Sequence, residues 1–288
     1  MSINLITPSY WRDFEQCRLL CDTVDTYVTG YDRHLIVVAP DDLALFSSLA
    51  GPRREIVNAD DVVPVRLWSP PLRWRGRRYF WGPGLAAPVY GWHLQQVRKI
   101  GITLAQGAER AMHLDSDVCF IKPYDVGALA EGAVPLACAP GAIDQRLPRH
   151  VQWHANAYRA LGLTPPPLPG DDFISPMVVW ERASVAAMVA RIGADWPTRL
   201  LRLREFSEYL LYGAAVTTDP ALMARHRLVA AAPCKVYWDG PALDRAGLEG
   251  FMAGMDPAQV AIMLQSFTQT PAALVRDLVL AARREVAA

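Results

Sequence analysis

Strand-like and helix-like segments alternate along the first half of this chain, and that order constrains the fold more than any other feature. Ile3–Thr7 reads as a short buried strand stopped by Pro8. From Asp13 to Val24, Phe14, Cys17, Leu20, Cys21 and Val24 recur on one helical face. His34–Ala39 is an apolar, β-branched run bounded by Pro40, and Asp41 and Asp42 then stand where a helix through Leu49 needs an N-cap. Glu55–Asn58 fits a third strand. Such alternation predicts an α/β fold, a mostly parallel central sheet flanked by helices.

The pattern breaks between Trp68 and Trp92. Eight Pro and Gly residues punctuate that stretch, around Trp68, Arg73, Trp74, Arg75, Arg77, Arg78, Tyr79, Phe80 and Trp81. Regular structure is not expected there. A lid over a ligand, a platform for an anionic or glycan acceptor, and a peripheral membrane contact are all open readings of such a loop. Periodicity resumes in a helix over Trp92–Ala105, followed by strands at Arg110–Asp115 and Val118–Ile121.

The second half is more helical. Helices are expected over Val151–Leu161, Ala183–Ile192, Thr198–Leu203 and Ser207–Tyr212. A strand is expected at Phe173–Trp180 after the Pro-rich stretch Thr164–Gly170. Short strands fit Lys235–Trp238 and Val260–Leu264, and Thr270 can cap a last helix that begins at Pro271. One domain over residues 1–288 is the reading.

Charge and cysteine content narrow the function. With 29 Lys+Arg against 29 Asp+Glu the chain carries no net charge, unlike a dedicated nucleic-acid binder. Its 52% hydrophobic residues exclude a disordered chain. Cys17, Cys21, Cys119, Cys138 and Cys234 show no C-x-x-C spacing and suit a reducing compartment. The N-terminus lacks the pattern of a signal peptide, and no apolar run reaches membrane-spanning length. A cytoplasmic protein, in reach of a membrane surface at most, is expected.

The sharpest motif is His113-Leu114-Asp115-Ser116-Asp117, an apolar strand that ends in two acids. In extended chain, Asp115 and Asp117 point to the same side while Ser116 faces away. Two carboxylates about 4 Å apart repel by roughly 4 kcal/mol at an effective dielectric near 20. A divalent cation removes that penalty, and oxygen ligands suit Mg²⁺ or Mn²⁺ with positions left for phosphate oxygens. Ligands of open α/β sheets bind outside the carboxyl ends of strands, where this motif lies.

The run Ala111–Asp117 resembles the "LDSD" or "LDAD" metal motif of GT-A-fold glycosyltransferases. Leu5-Ile6-Thr7-Pro8-Ser9-Tyr10 resembles that fold's first strand and nucleotide-facing turn, and Phe173–Trp180 its later "FNSGVMVW" strand, with Ser175-Pro176 as a departure. The ordered set Thr7-Pro8-Ser9-Tyr10, Gly91-Trp92…Gln95-Gln96…Lys99, Asp115-Ser116-Asp117 and Ser207-Glu208-Tyr209…Tyr212-Gly213 is similar to a bacterial family of uncharacterised glycosyltransferase-like proteins.

The resemblance implies a metal-dependent transferase that moves a sugar from a nucleotide-sugar donor to a hydroxyl, in surface-polysaccharide or other glycan synthesis. The acceptor would be a glycan or a lipid-linked sugar. Residues 3–125 would hold nucleotide sugar and metal, and residues 126–288 the acceptor. Asp117 would ligate Mn²⁺ or Mg²⁺, Asp115 would hold the ribose or the cation, and Ser116 would lie against the donor. Thr7, Pro8 and Ser9 would line the nucleotide. Asp41 is either a ribose or base contact or a plain helix cap. Gln95 and Lys99 share a helix face, and Gln96 and Lys99 would meet phosphate or sugar unless that face is simply solvated. Glu208 would take the acceptor proton, with Asp171 and Asp172 as competitors; otherwise it is a first-turn acid. A third, C-terminal metal ligand is commonly histidine in that fold, for which His226 or the Gln265-Ser266 pair stand in sequence.

His150 and His154 have i,i+4 spacing, but Val151 occupies the place of the Glu that a zinc-protease motif needs. They read as surface or acceptor-cleft residues. Two alternatives remain. A nucleotidyltransferase would carry a Gly-rich phosphate loop where Pro8-Ser9-Tyr10-Trp11 stands. A sugar-binding or scaffold protein would keep the fold without chemistry.

Overall fold

The computed structural model describes residues 2–63, 65–70, 73–74, 77–230 and 232–286. Strands β1 (Ile3–Pro8), β2 (His34–Val38), β3 (Arg54–Asn58) and β4 (Arg110–Leu114) run parallel. The chain leaves β4 through Asp115–Asp117 and enters β5 (Val118–Phe120), which belongs to another sheet. From the second half, β6 (Met177–Glu181) returns to pair antiparallel with β4, Met177 opposite Leu114 and Glu181 opposite Arg110. The central sheet therefore has the order β6-β4-β1-β2-β3. The inner strands β1, β2 and β4 are buried along their whole length, as strands covered on both faces must be, while the edge strand β3 is only partly buried.

Alternation along the strands divides the core. Leu5, Met112, Leu114, Met177 and Val179 pack with Leu20 and Val24 of helix α1 (Phe14–Tyr27). Val178 and Trp180 face the other way, against Leu94, Val97 and Ile100 of helix α2 (Gly91–Ala105). That side also gathers α3 (Pro148–Ala160), α4 (Arg182–Ile192), α5 (Trp196–Leu203) and α6 (Glu208–Thr217). Trp180, fully buried, stacks on Tyr212 of α6 with centroids 5.1 Å apart. A Cβ at Gly213 would lie 2.2 Å from the Phe173 ring, so only glycine lets α6 approach the segment leading into β6. The last helices are α7 (Arg245–Ala253) and α8 (Ala272–Val286). Beside them, β7 (Cys234–Tyr237) and β8 (Ala261–Leu264) complete a three-stranded sheet with β5. The mixed α/β single domain with a mostly parallel sheet follows the expectation, and because β6 joins β4, its two halves share one sheet.

Several local expectations are corrected. The stretch from Trp68 to Trp92 is not irregular throughout. Arg73–Trp74 pairs with Arg77–Phe80, the latter pairs with Val89–Tyr90, and Trp68 bridges Trp81 with stacked rings. Arg75 and the side chains of Arg73 and Arg77 lie outside the described residues. The expected helix through Leu49 is broken into 3-10 and α turns, and neither Asp41 nor Asp42 caps it through its side chain. Phe173–Pro176 precedes β6 rather than belonging to it, and α7 was not expected. All five cysteines are free and buried. Among the described residues no helix is long and apolar enough to cross a membrane.

Candidate functional site

Two chain segments meet at the carboxyl end of the central sheet. One is the turn after β1, carrying Ser9 to Asp13; the other is Asp115-Ser116-Asp117 after β4. The acids do not sit on extended chain as expected. Val118 N–H donates to Asp115 C=O at 3.1 Å, closing a turn, and Asp115 N–H donates to Pro176 C=O at 3.1 Å. Ser116 does not face away from the site: its hydroxyl donates to Asp13 Oδ2 at 3.4 Å.

The turn still gathers carboxylates. Burial, then the charges of Asp115 and Asp13, push Asp117 up to about 8. Burial raises Asp13 to about 6, opposed by the Ser116 hydrogen bond and reinforced by Asp115. The Ser266 backbone acts to lower the Asp117 pKa, which places the Gln265-Ser266 segment beside the site. Among the described residues no three His, Cys, Asp or Glu groups form a metal cage. Asp115 and Asp117 are nevertheless oxygen donors of the kind a hard cation takes, and a divalent charge would relieve their repulsion. Mg²⁺-type sites commonly use one or two carboxylates and fill the rest with water and phosphate.

Behind Asp115 lies a buried charged network. Lys99 of α2 puts Nζ 2.8 Å from Asp115 Oδ1 and 3.1 Å from Glu208 Oε1. Tyr209 meets Lys99 Nζ through its hydroxyl, which also donates to Asp115 Oδ1 at 3.1 Å. Side-chain exposure is 3% for Lys99, 6% for Glu208 and 26% for Asp115, so the network opens outward only at the aspartate. Burial works against the lysine's charge, but Asp115, Tyr209 and Glu208 together hold its pKa well above the ordinary value. Burial raises Glu208 above the usual carboxylate range while Lys99 draws it down. A base that receives a proton from a docked hydroxyl needs an open carboxylate; Glu208, expected in that role, is instead engaged with lysine.

The remaining expected residues divide. Thr7 is fully buried and its hydroxyl bonds His34 Nε2 at 3.0 Å, so its side chain belongs to the core rather than to a nucleotide face. Pro8 is buried, whereas Ser9 and the exposed Tyr10 and Trp11 continue toward Asp13. Asp41 is exposed and ion-paired with Arg78, which docks the hairpin against the end of β2. Gln96 is buried with its amide on Trp92 C=O at 3.4 Å, and Gln95 is partly exposed. Asp171 is exposed and accepts from Gly141 N–H at 2.9 Å. Asp172 accepts from Ile174 N–H at 2.9 Å and lies 3.2 Å from His150 Nδ1. His150 stacks on Trp153, while His154 is buried beneath Gly170, so the two form no zinc pair. His226 is a core residue held by Tyr212 and Leu222, which corrects its place as a possible metal ligand.

Asp13 and the exposed Phe267, next to Ser266, were missed as site residues. An acid a few residues beyond the first strand of a parallel sheet was the available signal for Asp13. Phe267 had none.

Fold and site together define a mixed α/β protein with an acidic, aromatic-rimmed site at the carboxyl end of a mostly parallel sheet. The chain belongs to a protein family of unknown function, DUF6492, whose family model matches residues 1–281. No curated protein matches the sequence.

Proposed function

We propose that this protein is a divalent-cation-dependent glycosyltransferase of GT-A-like fold, moving a sugar from a nucleotide-sugar donor to a hydroxyl acceptor. The observation that carries the reading is the placement of Asp115 and Asp117 at the carboxyl end of β4, joined to Asp13 through the Ser116 hydroxyl at 3.4 Å. The antiparallel β6 beside the strand bearing the acids supports the GT-A-like reading. A bound Mn²⁺ or Mg²⁺ would offset the charge of the departing diphosphate. Asp117 and Asp115 would hold the cation, with Asp13, itself bonded by Ser116, beside them. Tyr10, Trp11 and Phe267 offer aromatic surface beside it, 42–67% exposed.

Of the expected bases, Asp172 is assigned the role, because its side chain is more open than that of Glu208 and pairs with a histidine rather than a buried lysine. It is partly exposed, oriented by the Ile174 N–H and bonded to His150, and the segment after it reaches Asp115 through Pro176. Asp172→Asn should leave donor binding unchanged and reduce transfer about 10²-fold, the scale of a lost general base. Steady-state kinetics with saturating donor checks this, and unchanged turnover removes Asp172 from the chemistry. The exposed Trp68 and Trp74 of the hairpin suit contact with a glycan or lipid-linked acceptor at a membrane surface.

The acidic cluster also sets a pH dependence. Carboxyls raised in the folded state bind more protons there than in the unfolded chain. Asp13 and Asp117 therefore cost stability as pH climbs from about 4, where free carboxylates ionise, toward about 8. A cation must displace those protons, so its binding tightens over the same range. The rise in Tm produced by Mn²⁺ should be larger at pH 8 than at pH 6; a larger rise at pH 6 would contradict cation binding by these acids.

A thermal-shift screen of nucleoside diphosphate sugars, with and without Mn²⁺, tests the function, since a ligand of the native state raises apparent stability. The reading predicts a shift for at least one donor that requires the cation. Shifts indifferent to the cation favour a sugar-binding protein instead.

A further inference from the structure

The charged network behind Asp115 contains more than a fold needs. Replacing a buried ion pair by apolar side chains is often neutral or stabilising, so a lysine and a glutamate buried together are weak evidence for a stabilising role. Their geometry is asymmetric. Lys99 and Tyr209 both bond Oδ1 of Asp115, and Oδ2 takes no part in the network. Glu208 touches Lys99 but makes no bond to Asp115.

Counting charges shows what Glu208 adds. Lys99 with Asp115 alone would form a neutral pair, and an incoming cation would meet a carboxylate whose charge is already cancelled. With Glu208 present, one lysine serves two carboxylates, and the group keeps one net negative charge. That charge emerges at Asp115, the most exposed member. Lys99 can then fix the aspartate in place without neutralising the site.

We infer that Lys99 and Glu208 are a positioning pair: Glu208 balances Lys99, so that Lys99 holds Asp115 by Oδ1 and leaves Oδ2 and a net negative charge to a divalent cation. The inference rests on the cation-dependent reading proposed above and adds to it a role for two residues that touch neither donor nor acceptor. Asp115 is reached from α2 and α6 through this pair and Tyr209, and from the Asp13 side by Asp117.

The test is Mn²⁺ binding to the full-length protein, by calorimetry or by electron paramagnetic resonance of free Mn²⁺, with Tm measured alongside. Glu208→Gln leaves Lys99 to cancel Asp115 and should weaken Mn²⁺ binding about ten-fold or more, the scale expected for one unit charge within about 10 Å of a divalent ion. Glu208→Asp keeps the charge and should recover most of that loss. Lys99→Met combined with Glu208→Met restores the net charge but frees Asp115, and should bind Mn²⁺ more weakly than wild type and more tightly than Glu208→Gln. If Glu208→Gln binds Mn²⁺ as wild type does, the inference is overturned while the cation reading stands, and Glu208 returns to consideration as a base. Should Glu208→Gln fail to fold, wild-type affinity in the double variant overturns it equally. If the wild-type protein takes up no Mn²⁺, the cation reading fails and the inference falls with it.

Discussion

Asp117→Asn should reduce transfer by about 10³-fold while leaving the protein at least as stable as wild type at pH 8. The two effects have separate causes. On the proposed reading, the catalytic loss would follow from removing a charged ligand of the cation, whose stabilisation of the leaving diphosphate would amount to several kcal/mol, or one decade of rate per 1.4 kcal/mol. The stability gain follows from the crowding of Asp117. Its carboxyl is pushed up to about 8 by burial and by Asp115 and Asp13, so at that pH ionisation is being imposed on a site that resists it. An amide of the same shape removes the repulsion. Initial rates of nucleoside diphosphate release, with Tm recorded at pH 8, check both. A large loss of Tm would make Asp117 a structural residue instead.

The second large effect is expected at Lys99. Lys99→Met leaves Glu208 and Asp115 close to one another without their shared cation. Breaking a buried ion pair from one side costs about 3–5 kcal/mol, because the remaining charge keeps its desolvation penalty and loses its partner. For a domain of this size that is a fall in Tm of roughly 10 °C. Adding Glu208→Leu to Lys99→Met should recover a large part of the loss, since an apolar pair can fill the space that the ion pair occupied. Thermal and urea unfolding of the single and double variants give the answer. Equal stability of both would show that the two side chains are not coupled, against their 3.1 Å separation.

How much of this was legible in the sequence depends on how local each feature is. The central strands announced themselves as short apolar runs, and the two acids stand at the carboxyl end of β4 as expected. Extended chain does not bring these acids together, since Asp115–Val118 is a turn. The turn preserved the outcome. The strands between Trp68 and Tyr90 were hidden because pieces of two to four residues among Gly and Pro carry no period of their own. Their pairing with one another, extended by the Trp68–Trp81 bridge, is what defines them.

The candidate site was harder to read than the fold. Lys99, Asp115 and Glu208 were each picked out from motifs, yet nothing local indicated that they share one buried network. Lys99 and Tyr209 lie 110 residues apart in sequence. That pairing also changes the meaning of Glu208, from an open acid at a helix start to the partner of a buried lysine. Asp13 was read as the start of a helix because it precedes the apolar stripe of α1. Its proximity to Ser116, 103 residues away, comes from the packing of α1 against the sheet. Thr7 erred in the opposite direction: a hydroxyl on the first strand looks like a ligand contact until His34 is seen beside it.

The central claim is that the acidic end of this sheet handles a nucleotide sugar through a divalent cation. Release of nucleoside diphosphate from a panel of nucleotide sugars, measured with Mn²⁺ and again with excess chelator, tests it most directly. The account predicts release from at least one donor, abolished by chelator and restored when Mn²⁺ is added back. Release that persists at the same rate in chelator, or none from any donor with Mn²⁺ present, would contradict it.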